Sequence, residues 1–321
     1  MAYLRVGRYF FIIERVGKEK GMDHRYAVID IGTNSVRLML ADIEGGKIKT
    51  VLKTLNTVRI GEGMGKSNSI SEAAMKRTIL ALAAYKKQAL EEGAKKLYVF
   101  ATSAVREAEN KQEFIKAVQE RCGIAIDVIS GEEEAQIGFL GAAGRGEKCG
   151  IIDIGGGSTE VICGQNEDLS YMKSFRVGTV RALSLFPENE SPKALSKARA
   201  WVSGEIAELS EKPFFVGVPF VGIGGTATAL AAIALGLKTY DPDKVQGYIL
   251  TQEKLSVIFH MLSSMTVEQR KSVTGLDSMR ADVIVYGCMI MMAFMSAIGL
   301  TQIEVSDRDN QEGYLIRQLN L

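Results

Sequence analysis

An aspartate followed by glycine and hydroxyl-bearing residues occurs twice in this sequence, in Asp30-Ile-Gly-Thr-Asn-Ser35 and in Asp153-Ile-Gly-Gly-Gly-Ser-Thr-Glu160. Each aspartate ends an apolar run, and an aspartate is rarely buried unless it is paired or binds a metal. The glycines leave backbone N–H groups accessible, and these can surround an anion together with the hydroxyls. A hairpin turn explains either motif alone equally well. Two related motifs in one chain favour phosphate binding.

A third glycine motif, Gly222-Ile-Gly-Gly-Thr-Ala-Thr228, follows a predicted strand and opens a predicted helix. The N-terminus of a helix presents unpaired N–H groups and a positive dipole, and both attract anions. The alternative is an ordinary tight turn between a strand and a helix. The three motifs together predict a phosphate site, with candidate residues Gly32, Thr33, Asn34, Ser35, Gly155, Gly156, Gly157, Ser158, Thr159, Gly224, Gly225 and Thr226.

Three consecutive glutamates, 132 to 134, follow Ser130. Ser130 and Glu133 have the spacing of a capping box, and Glu132 falls in the first helical turn, where the dipole favours an acid. Glu134 has no such role and is expected on an inward face, one turn before Ile137. The alternative is a third solvated acid. A free glutamate has a pKa near ~4.3, so burial or neighbouring carboxylates would have to raise its pKa for general-base chemistry.

The composition excludes several other chemistries. The chain has 321 residues, two histidines (His24 and His260) and a net charge of +1 at pH 7. Two histidines exclude a histidine-rich metal cage and leave few candidates for a Ser-His-Asp triad. The balanced charge argues against a protein that coats DNA or RNA, because that binding needs an excess of cations. The four cysteines form no CxxC pair and predict buried thiols in a reducing, cytoplasmic compartment.

The elements that must position these residues form a repeat. Strands are predicted at 26–31, 36–42 and 47–56 around the first motif, and at 150–154, 159–163 and 170–176 around the second. Aspartate, glycine and serine recur at one constant offset of 123 residues. This offset is far longer than a solenoid repeat, so it indicates a duplicated α/β domain. Hairpin strands followed by alternating strands and helices predict mixed sheets flanked by helices. The length agrees with roughly two domains.

Five segments of the chain resemble the exopolyphosphatase/guanosine pentaphosphate phosphohydrolase family of the acetate and sugar kinase/actin superfamily. They are the three glycine motifs, together with Ala101-Thr-Ser-Ala-Val-Arg106 and Ile129-Ser-Gly-Glu-Glu-Glu-Ala135. The segments occur in the family's order, and the similarity covers nearly everything after Met22. The resemblance implies two ribonuclease H-like (actin-like ATPase) domains, 22–130 and 131–321, with a cleft between them. The last helix is expected to pack back on the first domain, and residues 1–21 are interpreted as a non-native or disordered extension.

The resemblance also implies the roles of individual side chains. Glu134 is the implied catalytic base, which deprotonates water. Asp153 and Glu160, with Asp30 as the matching acid of the first domain, are the implied ligands of Mg²⁺ (or Mn²⁺), a metal that suits hard oxygen ligands. Arg106 is an implied phosphate contact. The alternative is that Arg106 forms a surface ion pair with Glu109, three residues later.

Three further positions are left unassigned. Arg181 and Arg280 fall in stretches similar to the family, but structural anchoring is at least as good an explanation for each. Gln311 stands where family members often have arginine, which puts any phosphate contact from that stretch in doubt. The long family members carry a C-terminal phosphohydrolase-like extension, and this chain resembles the short, two-domain form.

The implied activity is hydrolysis of the terminal phosphoanhydride of inorganic polyphosphate or guanosine pentaphosphate. Two alternatives stay open, an ATP-dependent small-molecule kinase of the same superfamily and a non-catalytic sensor of guanosine penta- or tetraphosphate. A homodimer is implied by the resemblance alone. The uncharged stretch 283–303 is long enough to span a membrane, but its polar residues and Gly299 predict a buried helix and no membrane association.

Overall fold

The computed structural model describes residues 5–6, 9–10, 24–143, 148–165, 168–188, 191–211 and 215–321. Two short strands, β1 (Arg5–Val6) and β2 (Tyr9–Phe10), pair antiparallel near the start of the chain. The rest of the extension predicted over residues 1–21 lies outside the described residues. Its interpretation as non-native or disordered stays a prediction.

The first domain is built on a five-stranded sheet in the order β5-β4-β3-β6-β7. The strands β3, β4 and β5 form an antiparallel meander, and β6 and β7 continue the sheet in parallel. The strands are β3 (Arg25–Ile31), β4 (Val36–Glu44), β5 (Lys47–Asn56), β6 (Lys96–Ala101) and β7 (Asp127–Val128). The helices are α1 (Met64–Ser67), α2 (Glu72–Glu91), α3 (Ser103–Glu107) and α4 (Lys111–Cys122). Apart from Asp30, the buried side chains of β3 and β4 are apolar, as expected for central strands.

The second domain repeats this plan and adds one edge strand, in the order β10-β9-β8-β11-β13-β12. The strands are β8 (Cys149–Ile154), β9 (Thr159–Gln165), β10 (Asp168–Phe175), β11 (Phe220–Ile223), β12 (Tyr248–Thr251) and β13 (Gln302–Val305). The helices are α6 (Thr179–Leu185), α7 (Pro192–Glu205), α8 (Gly224–Leu235), α9 (Pro242–Val245), α10 (Gln252–Ser263), α11 (Val267–Arg270) and α12 (Ile284–Ile298). The first five positions of this order match the first sheet, so the predicted duplication of a mixed α/β domain is confirmed.

Two helices pack against each other between the sheets, α5 (Gly131–Ala142) and α13 (Asn310–Leu319). The two helix backbones are so close that a Cβ on Gly313 would overlap the carbonyl oxygen of Ile137. On the other side, α13 buries Tyr314 and Leu315 in a core with side chains of the first sheet, while α5 contacts β9 and β10 of the second. Ile137 of α5 also lies in the core that includes side chains of the first sheet. Because α5 contacts both domains, it does not mark where one ends, and the boundary at 130/131 stays a prediction.

The uncharged stretch 283–303 forms α12 and the strand that follows it. Tyr286, Met291 and Phe294 of α12 are fully buried in the core of the second domain. The helix ends at Gly299, whose φ of 82° is left-handed and suits a helix C-terminus. The predicted buried helix is therefore confirmed. In the part of the chain that the structure describes, no helix has the length and apolarity that a membrane span requires.

Candidate active site

The two aspartate motifs form matching turns, each at the end of a hairpin. In both, the glycine N–H donates to the carbonyl oxygen of the serine three residues later, at 3.0 Å within residues 32–35 and 2.9 Å within residues 155–158. The two turns face each other across a cleft between the domains. A Cβ on Gly156 would lie 2.9 Å from Cβ of Thr33, so glycine is needed for this close approach. The repeat seen in the sequence therefore forms two opposing walls of one cleft.

Most of the predicted site residues line this cleft: Asp30, Gly32, Thr33, Asn34, Ser35, Glu134, Asp153, Gly155, Gly156, Gly157, Ser158, Gly224, Gly225 and Thr226. The third glycine motif contributes the N-terminus of α8, which begins at Gly224 with a left-handed φ of 74°. No described side chain caps this helix end. Its first N–H groups are therefore available to an anion in the cleft, and anion binding there stays a prediction.

Two predicted phosphate residues lie outside the lining of this cleft. Thr159 is fully buried, and its Oγ1 donates to the carbonyl oxygen of Val177 at 2.6 Å, so its hydroxyl serves the core. Arg106 lines an adjoining groove, and its Nη1 donates to Oε2 of Glu134 at 2.9 Å. The ion pair of Arg106 is thus made with Glu134 rather than with Glu109, the partner that the alternative interpretation required.

Glu134 projects into the cleft from the first turn of α5. The predicted capping box is present, because the N–H of Glu133 donates to Oγ of Ser130 at 3.0 Å and the N–H of Ser130 donates to Oε2 of Glu133 at 2.8 Å. Glu134 itself is 7% exposed. Burial raises the pKa of Glu134 against the opposing charge of Arg106, and the nearby carboxylate of Asp30 raises it further. A buried carboxylate with a raised pKa meets the requirement for a general base.

The register of the two hairpins gives the two aspartates opposite kinds of partner. Asp30 lies across from Arg37, whose Nε donates to its Oδ2 at 3.0 Å. Asp153 lies across from Glu160, so two buried carboxylates occupy adjacent cross-strand positions. Burial, with Glu134 as the next cause, raises the pKa of Asp153 to about 8. Burial together with Glu134 and Asp153 raises the pKa of Glu160 well above its usual range.

These carboxylates are candidate metal ligands, and the described residues allow a test of that fit. The buried oxygens Oδ1 of Asp30 and Oε2 of Glu160 have no hydrogen-bond partner in the described part of the chain. However, no three His, Cys, Asp or Glu side chains of the described residues gather closely enough to enclose a metal by themselves. Mg²⁺ usually keeps several waters and takes further ligands from substrate phosphates. The residues present fit that kind of open site and not a closed protein cage.

Sequence reasoning left out two guanidinium groups that line the cleft. Arg37 lies between Asp30 and Asp309 and forms ion pairs with both. Burial by itself would lower the pKa of Arg37, but the carboxylates of Asp309 and Asp30 outweigh burial, and the pKa of Arg37 is raised. Arg280 lies over Gly225 at the start of α8, and burial followed by the charge of Arg37 lowers its pKa. Arg37 follows the first motif by two residues, at the position that corresponds to Glu160 in the second, so its place in the repeat was an available signal.

The other positions left unassigned have structural roles. Nε of Arg181 donates to the carbonyl oxygen of Gly157 at 2.8 Å, and its Nη2 pairs with Glu107. Nε2 of Gln311 donates to the carbonyl oxygens of Val28 at 3.0 Å and Arg37 at 3.3 Å. Arg181 therefore anchors the second glycine loop, and Gln311 supports strands of the first sheet. Neither side chain is directed at the centre of the cleft.

Asn310 also lines the cleft, and nothing in the sequence indicated it. It is the first residue of α13, and its Nδ2 donates to Oδ2 of Asp153 at 2.8 Å. Its neighbour Asp309 is buried and pairs with Arg37. Burial alone would raise the pKa of Asp309, but Arg37 and Lys53 outweigh it and the pKa is lowered.

A duplicated α/β fold with two facing glycine loops and carboxylates between them places the chain in the actin-like class of proteins. The chain belongs to the Ppx/GppA phosphatase family, whose model matches residues 39–321. Among solved structures, the Ppx/GppA enzyme of Aquifex aeolicus is 30% identical and superimposes with a TM-score of 0.75, over 92% of this chain and 100% of that one.

Three curated relatives differ in how much of their length this chain covers. A bifunctional 3-dehydroquinate synthase/phosphatase of Fusobacterium nucleatum is 33% identical over 90% of this chain, which spans only 46% of that relative. Exopolyphosphatase 2 of Mycobacterium tuberculosis is 30% identical, and the match covers 90% of this chain and 97% of the length of that relative. A guanosine-5'-triphosphate,3'-diphosphate pyrophosphatase of Photobacterium profundum is 28% identical over 92% of this chain and 59% of its own.

Proposed function

We propose that this chain hydrolyses the terminal phosphoanhydride of inorganic polyphosphate, of guanosine pentaphosphate, or of both, and releases phosphate. The observation that carries the proposal is the position of Glu134, a buried carboxylate of raised pKa at the cleft where two glycine loops and the start of α8 meet. The names of the relatives, an exopolyphosphatase and a guanosine pentaphosphate pyrophosphatase, support hydrolysis rather than the kinase alternative.

In the proposed mechanism, a carboxylate oxygen of Glu134 accepts a proton from the attacking water. The water oxygen forms a bond to the terminal phosphorus, and the bond from phosphorus to the bridging oxygen breaks. The rest of the substrate, one phosphate shorter, leaves with the bridging oxygen and the electron pair of the broken bond. The N–H groups of the loops and the guanidiniums of Arg37 and Arg280 stabilise the charge on the transferred group. Such a reaction depends mainly on positioning and electrostatics.

A divalent cation is part of this proposal because the cleft alone carries too little positive charge for a polyanion. Three carboxylates and two guanidiniums line it: Asp30, Glu134, Asp153, Arg37 and Arg280. We propose that Asp153 and Glu160 hold Mg²⁺ or Mn²⁺ and that Asp30 faces it from the first domain. When bound, the cation neutralises the carboxylates and polarises the phosphate oxygens.

The deciding experiment measures phosphate release in parallel from long polyphosphate, guanosine pentaphosphate and ATP, each with and without Mg²⁺. We expect Mg²⁺-dependent release from at least one of the first two substrates. Tight nucleotide binding without release would favour the sensor, and ATP-dependent phosphorylation of a small alcohol or acid would favour the kinase. Either result would overturn the proposal.

Two adjacent glutamates supply a matched pair of variants for the role of Glu134. Glu134→Gln, or Glu134→Ala, removes the proposed base and should reduce phosphate release by at least ~100-fold, with the fold retained. Glu133→Gln alters the capping box, which is worth about 1 kcal/mol of stability, and removes the charge that pairs with Arg317 at 3.4 Å, and it should leave turnover near the wild-type level. Retained turnover in Glu134→Ala would contradict the assignment.

We also propose a homodimer in a reducing, cytoplasmic compartment. The dimer rests on the family resemblance, and the compartment on four free cysteines in the described chain, three of them buried. Sedimentation equilibrium tests the dimer, and a mass near the 34.9 kDa of one chain would contradict it.

A further inference from the structure

Arg59 joins the first phosphate-site loop to a turn of the second domain. Its backbone N–H donates to the carbonyl oxygen of Asn34 at 2.8 Å, and the N–H of Gly61 donates to that of Thr33 at 2.9 Å. The φ of Arg59 is 52°, a left-handed conformation that is uncommon for residues other than glycine, asparagine and aspartate. The backbone at Arg59 is therefore shaped to follow the loop that lines the cleft.

The side chain of Arg59 crosses to the other domain and binds there in a fork. Its Nη1 lies 2.6 Å from Oδ2 of Asp282 and its Nη2 lies 3.1 Å from Oδ1, and Nη2 also donates to the carbonyl oxygen of Met279 at 2.9 Å. A planar guanidinium that binds a carboxylate through two nitrogens fixes orientation as well as distance. Arg59 thus holds the residue before Arg280 and the residue two positions after it.

The base of this connection is fixed to the first domain. Arg77 of α2 donates from Nε to the carbonyl oxygen of Val58 at 2.9 Å and pairs through Nη2 with Glu62 at 2.8 Å. Residues 58–62 are therefore attached to a long helix on one side, while the side chain of Arg59 binds the second domain on the other. Any movement of the Arg280 turn relative to the first loop has to break the Arg59–Asp282 pair.

We propose that Arg59 is a positioning residue that sets the place of the Arg280 charge relative to the phosphate bound between the two domains. The proposal rests on the proposed phosphate-releasing function. Arg280 lines the cleft and Arg59 does not, so Arg59 acts through Arg280 and through the loop at 33–34. The Arg59–Asp282 pair thereby couples two domains whose glycine loops must face each other.

The test compares Arg59→Ala and Arg59→Lys with a matched control, Arg25→Ala. Arg25 forms a similar two-nitrogen pair with Asp42, but within the first sheet. The side-chain exposures are close, 30% and 18% for the Arg59 pair against 28% and 22% for the control. A displacement of about 1 Å in a positioning group costs roughly 100-fold in rate. We expect kcat/KM for phosphate release to fall by ~100-fold in Arg59→Ala, less in Arg59→Lys, and less than about twofold in Arg25→Ala.

A double-mutant cycle separates positioning from a general loss of structure. If Arg59 acts through Arg280, then Arg59→Ala in an Arg280→Ala background should cost less than ~5-fold beyond Arg280→Ala alone. A fully additive loss would overturn the proposal, as would an equal loss in Arg25→Ala or an unchanged kcat/KM in Arg59→Ala.

Hydrogen exchange provides a readout that needs no activity. We expect faster amide exchange in residues 277–283 and 32–35 of Arg59→Ala, and unchanged exchange there in Arg25→Ala. Unchanged exchange at 277–283 in Arg59→Ala would overturn the positioning role. A wild-type chain that releases no phosphate from any substrate would overturn the proposed function, while the exchange result would still decide whether Arg59 holds the turn.

Discussion

The side-chain amide of Asn310 donates a hydrogen bond to Oδ2 of Asp153 at 2.8 Å, across 157 positions of sequence. Asp153 is the next-to-last residue of a strand of the second sheet, whereas Asn310 begins the helix that packs on the first. Both side chains are buried and both line the cleft. One of the proposed metal ligands is therefore oriented by a helix from the far end of the chain.

Replacement of Asn310 should weaken the metal dependence of the reaction. Asn310→Ala removes the donor that holds Oδ2 of Asp153, and loss of such an orienting partner typically costs 10–100-fold in metal affinity or activity. We expect the Mg²⁺ concentration for half-maximal phosphate release to rise at least ~10-fold. Asn320→Ala, at the exposed end of the same helix, is the control and should leave it unchanged. An unaltered Mg²⁺ dependence in Asn310→Ala would remove the positioning role.

The Arg106–Glu134 pair predicts a shift in the pH profile. The charge of Arg106 opposes the burial that raises the pKa of Glu134, so Arg106→Gln should let that pKa rise further. The proposed base is active when ionised, so the acidic limb of kcat/KM should move to higher pH. The pH–rate profile of the variant checks this. A uniform loss of rate with the limb in its original place would mean that Arg106 serves the phosphate alone.

Asp153 predicts how stability depends on pH in the absence of metal. Its pKa is about 8 in the folded chain and near ~4 when unfolded. The folded state therefore retains a proton that the unfolded state loses. The resulting contribution to the free energy of unfolding is complete below about pH 4 and disappears as the pH rises through about 8. In Asp153→Asn that dependence should be absent.

Denaturant unfolding of both proteins between pH 4 and pH 8, without divalent cations, measures the difference. The free energy of unfolding of the wild type should fall relative to Asp153→Asn, by at most ~1.4 kcal/mol per pH unit for this one group. Added Mg²⁺ should restore stability to the wild type more at pH 8 than at pH 6. Parallel curves for the two proteins would show that Asp153 is ionised normally.

The crossing of α5 and α13 predicts opposite effects for two glycine substitutions. A Cβ on Gly313 would overlap the carbonyl oxygen of Ile137, whereas nothing lies within 4 Å of a Cβ on Gly204. Gly313→Ala should cost at least ~1–3 kcal/mol of unfolding free energy, because the two helices must separate. Gly204→Ala, inside α7, should be neutral or stabilise by about 0.5–1 kcal/mol. Denaturant midpoints measure both, and equal midpoints would contradict the close helix contact.

Much of the fold follows from local patterns that the sequence displays directly. The hairpins around residues 32–35 and 155–158 are apolar runs separated by glycine turns, and a local turn fixes strand pairing with little help from the rest of the chain. The capping box at Ser130 and Glu133 and the buried helix α12 are equally local features. For such features the interacting groups are near neighbours in the chain, so type and spacing suffice.

The site was predictable only in part, because some of its side chains are oriented by distant partners. Thr159 stands beside Ser158 in one motif, yet Ser158 lies in the turn and lines the cleft, whereas Thr159 begins β9 and its side chain lies in the core. Arg280 and Arg181 looked alike as isolated arginines in the sequence. The fold places Arg280 at the start of α8 and ties Arg181 to Glu107.

The sequence by itself determined the duplicated α/β plan, the three glycine loops and the candidate base, because each depends on residues within a few positions of one another. Tertiary structure decided which charges meet. It set Asp30 against Arg37 and Asp153 against Glu160, through a hairpin register in which equivalent positions carry opposite charges. It also brought Asn310 to Asp153, since that contact depends on how α13 packs against α5, and no local spacing encodes the packing of two helices so far apart in the chain.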